Sequence, residues 1–506
     1  MEVSISIVLA VLTGLVIIYY FVFRENYFDK YGIPHLKPSA IFGNMAPIIF
    51  QRDTFVGHVT SIYNVHKDAK YVGLHDFSMP VIMIKDLELI KSITVKHFDN
   101  FIDRRGVVDP EIDSLFGKNL LTLRGDRWRE SRILLSPAFT SSKMKAMFKL
   151  MSECANAFSD TLVKQARNRA NGINSKDIFT RYTNDAIASC LFGVAVDSMN
   201  NPDNDFYTLG RRAANFEGIR SLKFFMIRAF PSMSKLLRIK LIGTKIENFF
   251  YDLVRDTIAT RDAQGINRPD IIQLMMETRG HKPGSKNPEL SIESMTSQVW
   301  GFYFGGFEST ATSICFMAHE IASNPDVQKK LQEEIDQVLE KDNGNLNYES
   351  INGMHYLDAV VSEILRLYPI AGFLSRVCTK SFELPPTLPG SKPLIVNPGT
   401  DLWIPLWSIH RDPQHFPNPD KFDPERFMGE AKDTINHSAY LPFGVGPRMC
   451  MGNRFALMEI KVLFFHLLAK CNITLSKKMI LPMRLSKKNF MLTADGGFWL
   501  DIQPRK

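Results

Sequence analysis

The longest apolar stretch of the chain is residues 3–23, 21 positions without a charged side chain. That length is enough to cross a bilayer, since a transmembrane helix needs about 20 residues. Arg24, Lys30 and Lys37 follow the stretch, and positive charge beside an anchor stays on the cytosolic side. A cleaved signal peptide is the alternative, but its basic start, shorter apolar core and small-residue cleavage site are not evident. The pattern predicts an uncleaved transmembrane helix over residues 1–24.

Two prolines separate this predicted anchor from the rest of the chain. Pro34 and Pro38 interrupt any helix between them, so we expect a stiff connector over residues 25–45 and a folded domain over residues 46–506.

Within the domain, the period of the apolar positions indicates mostly helices. Residues 71–74 and 80–84 are the exception and predict two short strands around a turn. Residues 222–231 are apolar and fit either ordinary core or a surface hairpin that dips into the same membrane as the anchor. The predicted fold class is therefore mainly α with a small β region, and the anchor favours the membrane interpretation of residues 222–231.

The clearest helix begins with Ser291 as its N-cap and ends before Pro325. Gly305 and Gly306 lie in its middle, where each glycine costs about 1 kcal/mol relative to alanine. Ser309 shares a face with Gly305 and can donate a hydrogen bond to its carbonyl oxygen, which opens the helix locally. We expect a polar notch in an apolar wall, with an acid, Glu308, beside it. The alternative is a glycine-lined helix crossing with Glu308 facing solvent.

Two further patterns suggest a buried ion pair and a metal ligand. Glu363 and Arg366 are about one helical turn apart among apolar neighbours, so we expect a buried pair that needs additional partners. Cys450 follows a turn with Gly444 and Gly446 and precedes a helical pattern over residues 453–469. A helix amino terminus stabilises a thiolate, and glycines permit close approach of a flat ligand. A buried, inert thiol is the alternative for a lone cysteine.

Composition and charge limit the possible partners. The 506 residues are 45% hydrophobic, and the net charge of +8 is spread among interleaved acidic and basic residues. No segment is typical of a nucleic-acid arm, so an anionic membrane or an acidic protein is the better partner. The six cysteines lie far apart, which argues against a zinc site or a disulfide framework and fits a reducing compartment.

The motif Phe443-x-x-Gly446-x-Arg448-x-Cys450-x-Gly452 resembles the haem-binding loop of the cytochrome P-450 family at every defining position. Matching blocks extend over essentially the whole chain. Residues 32–45 are similar to insect microsomal members that handle plant toxins and insecticides. The resemblance implies the cytochrome P-450 fold, haem b as cofactor and Cys450 as the axial ligand of its iron.

The same resemblance implies roles for other residues. The cofactor would also contact Trp128, Arg132, Arg376, Phe443 and Arg448. Proton delivery would involve Glu308, Ser309 and Thr310, and the choice between the two hydroxyls stays open because the family usually has threonine at the position of Ser309. Glu363, Arg366 and Arg426 would brace the cysteine loop. The substrate pocket would include Phe304, Phe307, Ile370, Phe373 and Leu374.

The implied reaction is NADPH- and O2-dependent insertion of one oxygen atom into a lipophilic substrate, either a xenobiotic or an endogenous lipid or hormone. Electrons would come from NADPH–cytochrome reductase, with cytochrome b5 as a further partner, at the endoplasmic reticulum membrane. The reductase would dock near Arg127, Arg129, Lys143 and Lys145. Two alternatives remain: a haem-thiolate isomerase or dehydratase that acts on lipid peroxides without external electrons, and a haem-free membrane scaffold or ligand carrier.

Overall fold

The fold was analysed in a computed structural model that describes residues 14, 27–39, 41–166, 172–215, 218–268, 270–277 and 291–505. None of the described helices is long and apolar enough to span a bilayer. Apart from Gly14, the transmembrane helix predicted over residues 1–24 lies outside the described residues, so the structure does not supply that part of the expected architecture.

Helices make up most of the described chain, as the apolar period predicted. The α-helices are α1 (Tyr27–Tyr31), α2 (Ala46–Ile49), α3 (Phe55–Tyr63), α4 (Leu87–Lys91), α5 (Ser114–Gly117), α6 (Gly125–Leu135), α7 (Ser141–Ala166), α8 (Ser175–Ile187), α9 (Asp205–Ala214), α10 (Ile219–Ala229), α11 (Pro231–Leu236), α12 (Thr244–Gln264), α13 (Ile271–Glu277), α14 (Ile292–Ser323), α15 (Pro325–Lys341), α16 (Tyr348–Asn352), α17 (His355–Leu367), α18 (Leu406–His410), α19 (Gly429–Asp433) and α20 (Asn453–Lys470). Short 3-10 or π-helical turns are Ser92–Lys96, Phe98–Asn100, Ser136–Phe139, Ala188–Phe192 and Pro424–Phe427.

Among the described residues, the β region is small and consists of three sheets. The strands are β1 (Tyr71–Asp76), β2 (Met79–Ile84), β3 (Ile173–Asn174), β4 (Leu374–Val377), β5 (Phe382–Leu384), β6 (Leu394–Val396), β7 (Asp401–Ile404), β8 (Cys471–Leu475) and β9 (Trp499–Pro504). Their orders are β1-β2-β7-β4, β3-β9-β8 and β5-β6. The antiparallel pair β1–β2, with Tyr71 opposite Ile84, confirms the two predicted strands.

Part of the segment predicted as a connector packs against the first sheet. Phe28 is fully buried, and the amide of Gly73 in β1 donates to the Pro34 carbonyl at 2.8 Å. A Cβ at position 73 would overlap the Phe28 ring, so this position has room only for glycine. The glycine in β1 therefore fits a close approach of the amino-terminal segment.

The long helix α14 runs through the core and confirms the predicted boundaries. The Ser291 hydroxyl accepts from the amide of Ser294 at 3.1 Å, and the helix stops at Asn324 before Pro325. Most of its residues are buried, and it packs on α5, α8, α12, α17 and α20.

The start of α8 is fixed by the carboxy-terminal part of the chain. Asn174 caps α8, and the next residue, Ser175, donates its amide to the carbonyl of Phe498 at 3.0 Å. Phe498 directly precedes β9, which pairs with β3. The position of α8 against α14 therefore depends on residues more than 300 positions later in the chain.

The apolar segment 222–231 is half-buried. It spans α10 and the start of α11, and no residue of α10 is fully buried. Leu222 and Phe230 are 59% and 49% exposed, whereas Phe225 and Ala229 pack against the core. Arg228 ties α10 to the fold through an ion pair of 2.7 Å with the buried carboxylate of Asp76.

Candidate functional site

A cavity of about 380 Å³ lies where α14 meets the loop before α20. Its lining includes nine of the residues singled out from the sequence, namely Trp128, Arg132, Ser309, Thr310, Ile370, Leu374, Phe443, Arg448 and Cys450. The structure thus brings most of the predicted cofactor-binding residues and both candidate hydroxyls to one space, although they come from distant parts of the chain.

The loop that carries Cys450 has a shape that requires glycine. Gly444 and Gly446 adopt φ angles of +79° and +73°, in the left-handed region. A Cβ on Gly446 would also overlap the carbonyl oxygen of Thr94. The amide of Cys450 donates to the Phe443 carbonyl at 2.9 Å, which closes the loop and leaves the sulfur facing the cavity.

The protein around Cys450 acts on its pKa in the direction opposite to that of a helix amino terminus. Burial raises the pKa of the thiol, and the opposing effects of the Gly452 amide, Arg104 and Arg132 are smaller. The helix end is evident from the sequence, whereas burial by the surrounding protein is not. A coordinated metal ion favours the thiolate much more strongly than these groups do.

Arginines provide the charge of the cavity. Arg104, Arg132 and Arg448 line it, and the described lining residues include no aspartate or glutamate. Burial and the neighbouring guanidiniums of Arg104 and Arg448 lower the pKa of Arg376 well below its usual range. Several buried cations close together are unfavourable unless an anion joins them.

Individual contacts distinguish these arginines. Arg448 donates to the carbonyls of Ile102 and Leu123 at 2.9 and 2.8 Å and lies 4.0 Å from the Trp128 ring centre, so its contacts are largely with protein. Arg376 is not among the lining residues; it donates to the Ser375 carbonyl at 3.0 Å, while its buried Nε has no hydrogen-bond partner among the described residues.

These features fit a flat, apolar cofactor that carries two carboxylates, as haem does. The glycine-bearing walls leave space for a flat group, the arginines offer charge-assisted donors, and Cys450 offers a soft sulfur ligand. Arg104 was missed by the sequence reasoning, because an arginine in the run Asp103-Arg-Arg105 has no motif that separates it from a surface charge.

The helix α14 has the predicted notch, but the acid is not in it. The Ser309 hydroxyl donates to the carbonyl of Gly305, and Ser309, Thr310 and Gly305 all line the cavity. Glu308 is not among the described lining residues, because its side chain pairs with Lys176 of α8 at 2.6 Å. Neither of the two sequence interpretations of Glu308 anticipated this partner.

The predicted substrate-pocket residues divide into two groups. Ile370 and Leu374 line the cavity, whereas the described lining does not include Phe304, Phe307 or Phe373. These three phenylalanines pack against other rings instead, as follows: Phe304 on Trp300 at 5.2 Å, Phe307 on Tyr303 at 5.1 Å and Phe373 on Trp403 at 4.2 Å between ring centres. Phe304 and Phe307 pack on rings of α14 itself, Phe304 also contacts Phe116 of α5, and Phe373 contacts Trp403 of β7. Their part in the substrate pocket stays a prediction.

The ion pair of α17 is fully buried and has the additional partners that burial requires. Arg366 donates two hydrogen bonds of 2.7 Å to the two carboxylate oxygens of Glu363. The remaining donors of Arg366 reach the carbonyls of His410, Pro419 and Lys421 at 2.9, 2.7 and 3.2 Å. Arg426 approaches Glu363 at 3.5 Å, so the three predicted network residues do meet.

His410 connects this network to the cysteine loop. Its Nε2 accepts from the amide of Leu441, the first residue of the loop, at 2.9 Å, and its Nδ1 lies 3.1 Å from the Arg366 carbonyl. These contacts require the neutral tautomer with hydrogen on Nδ1. Burial is the largest cause that lowers the pKa of His410 to about 3. The sequence gives no signal for His410, because its partners are backbone groups.

The predicted docking residues form a partly neutralised basic surface. Arg129 pairs with Asp99 at 2.9 Å and Lys145 with Glu349 at 2.5 Å. Arg127 is exposed on α6, as is the apolar side chain of Ile133.

Comparisons with known proteins agree with the geometry. The family model described as Cytochrome P450 matches residues 34–500. Cytochrome P450 9e2 of Blattella germanica is 44% identical, over 95% of this chain and 94% of the relative. Probable cytochrome P450 9f2 of Drosophila melanogaster is 39% identical, over 95% and 96%. Cytochrome P450 6j1 of Blattella germanica is 32% identical, over 99% and 98%.

Proposed function

Because the chain belongs to the cytochrome P450 family of haem-thiolate monooxygenases, which take electrons from NADPH through a reductase, we propose that it oxygenates lipophilic substrates with Cys450 as the iron ligand. The observation that carries this proposal is a single cavity that joins the Cys450 sulfur, a set of arginines without acidic partners in its lining, and the hydroxyls of α14.

The residues of the cavity would hold the haem in complementary ways. Cys450 would bind the iron, and Arg104, Arg132 and Arg376 would donate to the two carboxylates. When bound, the haem supplies the oxygen chemistry of a monooxygenase. The braced loop keeps the sulfur in place, because Glu363 and Arg366 fix the segment whose His410 accepts from Leu441.

On the opposite wall, the chain's own groups would move protons. The Ser309 hydroxyl, held by its bond to the Gly305 carbonyl, lies at the cavity surface and can pass a proton into it. Thr310 also lines the cavity but is buried, so we assign the first transfer to Ser309. Glu308 would resupply Ser309 from the outer side of the helix.

The substrate would be apolar and of foreign origin. The lining beside the hydroxyls includes Phe302, Ile370, Ala371 and Leu374, so little besides shape and apolar area selects the substrate. Similarity to insect relatives supports plant toxins or insecticides, with an endogenous lipid or hormone as the other source of such chemistry.

We place the enzyme on the endoplasmic reticulum membrane, with residues 1–24 as its anchor. The exposed apolar side chains of α10 and α11 support a second membrane contact, and Lys223 and Lys235 beside them suit anionic lipid headgroups. Replacing Leu222 and Leu236 by aspartate should reduce sedimentation with anionic vesicles without changing haem content. Equal sedimentation would contradict this contact.

The electron donor would dock on the face of α6. Arg127, Arg129 and the exposed Ile133 lie on α6, and Lys143 and Lys145 lie in the first two turns of α7, a combination that would suit an acidic protein with a small apolar contact. We assign this face to NADPH–cytochrome reductase and, as a second donor, to cytochrome b5.

One observation favours a different reaction. Glu308 lies outside the described cavity lining, and an isomerase or dehydratase that rearranges lipid peroxides needs no acid there. The proposal is tested by comparing turnover of a lipophilic substrate with reductase and NADPH against turnover of a lipid hydroperoxide alone. Reaction of the peroxide only would establish the alternative.

The haem itself is tested by spectroscopy. The reduced, carbon monoxide-treated protein should have the Soret band shifted by a thiolate ligand, and Cys450→Ala should abolish it. A wild-type protein without that band would be the haem-free carrier.

A further inference from the structure

The side chain of Gln298 joins α14 to the segment between α5 and α6. Its Oε1 accepts from the amide of Leu120 at 2.9 Å, and its Nε2 donates to the carbonyl of Lys118 at 3.0 Å. Gln298 is 2% exposed, so water competes little for these two hydrogen bonds. The glutamine therefore bridges to the backbone of residues 118–121, which we call the leucine segment after Leu120 and Leu121.

The bridge uses both halves of the Gln298 amide. Its nitrogen donates to a carbonyl, and its oxygen accepts from an amide two residues further along the segment. A carboxylate lacks the donor, and an apolar side chain lacks both groups. Gln298 also lines the cavity, but because both of its polar atoms have backbone partners, its role towards a ligand is to position other residues.

The surface of α14 beside Gln298 is shaped to receive the leucine segment. A Cβ on Gly301, one turn after Gln298, would overlap Asn119, so the glycine permits a close approach of the segment to the helix. The Asn119 Oδ1 accepts from the amide of Leu121 at 3.0 Å. These contacts bring the leucines of the segment to the wall of the cavity.

The segment is also held from the cysteine loop. Arg448 donates to the carbonyls of Leu120 and Leu123 at 3.4 and 2.8 Å. Leu120 is thus bound at its amide by α14 and at its carbonyl by the cysteine loop. Loss of the Gln298 bridge would leave the contacts of Arg448 in place, so the segment would loosen beside α14 and stay attached beside the cysteine loop.

Leu120 and Leu121 are part of the apolar lining of the cavity, together with Phe302 of α14. These side chains carry no polar group, so they select a ligand by their position and by the apolar area that they offer. The Gln298 bridge fixes that position, because the backbone that carries both leucines is the part that it binds.

We infer that Gln298 is a positioning residue that determines the length of the apolar ligands that the cavity accepts, because it fixes the leucine segment as a rigid wall. This inference deepens the proposed function and rests on it, since it presumes that the cavity holds haem and an apolar ligand.

The test uses the full-length, haem-loaded protein and compares wild type with Gln298→Met and Gln298→Glu. Methionine has a similar size but lacks both polar groups, and glutamate keeps the acceptor for Leu120 alone. The matched control is Gln328→Met. Gln328 is 7% exposed and makes the same pair of bonds, accepting from the amide of Ile473 at 2.7 Å and donating to its carbonyl at 2.9 Å, and neither residue is among the described cavity lining.

Two measurements report on the segment without turnover. N-alkylimidazoles from methyl to octyl bind haem iron through nitrogen, so their dissociation constants, read from the shift of the Soret band, show how long an alkyl tail the cavity accepts. Trypsin cleaves after Lys118, whose carbonyl is bound by Gln298, and mass spectrometry of the fragment that ends there gives the rate of local opening.

In the wild type, each methylene group should improve the affinity about fourfold until the tail reaches the leucine segment, after which the affinity should fall. In Gln298→Met that fall should move to longer tails, methylimidazole should bind as it does to wild type, and cleavage after Lys118 should be about tenfold faster. Gln298→Glu should lie between the two, because one of the two bonds is kept. Gln328→Met should match wild type in both measurements.

The outcomes separate this inference from the proposed function. An unchanged dependence on tail length in Gln298→Met would overturn the inference, even with faster cleavage after Lys118. If that variant loses the carbon monoxide band, Gln298→Glu decides by the same measurement, and loss of the band in both would show that the bridge holds the haem site as a whole, which also overturns the inference. A wild-type protein that binds the imidazoles but forms no product with reductase and NADPH would contradict the monooxygenase reaction alone, since imidazole binding needs no electrons.

Discussion

Replacing Arg366 by lysine is the sharpest test of how the cysteine loop is held. All five N–H donors of the guanidinium are used, two on Glu363 and three on backbone carbonyls. A lysine ammonium has only three donors on a single nitrogen, so at least two of these buried acceptors lose their partner.

The expected loss of stability follows from the difference in the number of donors between arginine and lysine. Each buried polar group left without a partner costs about 1–3 kcal/mol, so Arg366→Lys should lower the free energy of unfolding by about 2–6 kcal/mol although the positive charge is kept. Such a loss is a large fraction of the stability of a typical domain, which is about 5–15 kcal/mol. We therefore expect the variant to lose its haem band at clearly lower urea concentration than wild type.

The assay follows the carbon monoxide band and the far-ultraviolet circular dichroism through urea unfolding at constant pH. Lys330→Met is the matched control, because Lys330 pairs at 2.6 Å with Glu425, the neighbour of Arg426 in the turn Pro424–Phe427, but at the surface, where an ion pair contributes about 1 kcal/mol or less. An Arg366→Lys protein within about 1 kcal/mol of wild type would show that the hydrogen bonds of the guanidinium do not hold the loop.

Three other predictions concern the cavity and its support. Arg104→Gln and Arg376→Gln should each lose charge-assisted donors worth about 1.5–3 kcal/mol and release haem to an apo-globin faster; unchanged transfer would contradict their role. The pKa of His410 is lowered in the fold to about 3, below its usual value near 6.5, so the unfolded chain binds the extra proton and this contribution to stability is complete above pH 6.5 and lost as the pH falls towards 3. The free energy of unfolding in urea should therefore change less between pH 7 and pH 5 in His410→Gln than in wild type, by up to about 1.4 kcal/mol per pH unit, and equal slopes would refute this. Gly446→Ala should accumulate without the haem band, because φ is +73° and a Cβ would overlap the Thr94 carbonyl, whereas Gly390→Ala, with φ of +82° and open space, should bind haem normally; haem in both would be inconsistent with the close approach.

Sequence patterns identified the features that arise from contacts within one short segment. The limits of α14 follow from the Ser291 cap and from Pro325, and the bond from Ser309 to Gly305 follows from their spacing of four. The ion pair of Glu363 and Arg366 likewise follows from their spacing of three on one helix.

Features that depend on contacts between distant segments could not be predicted from the sequence. Lys176 lies 308 − 176 = 132 positions from its partner Glu308, and no pattern relates the two. Helical period indicates which residues share a face but not which face meets the cavity, so the sequence did not show that Phe304 and Phe307 lie outside the described cavity lining. The effect of burial on the pKa of Cys450 was not predicted, because burial depends on the whole fold.

The hydrogen bond from Ser175 to Phe498 gives the end of the chain an unexpected importance. A purification tag or fluorescent protein fused after residue 506 would act next to β9, the strand that pairs with β3 just before α8. Loosening β9 would disturb the first turn of α8, whose Lys176 pairs with Glu308, so a fusion should affect the proposed proton delivery through Glu308 and with it the product formed per NADPH. Enzyme preparations that differ only in their carboxy-terminal fusion should therefore be compared by product per NADPH before their rates are compared.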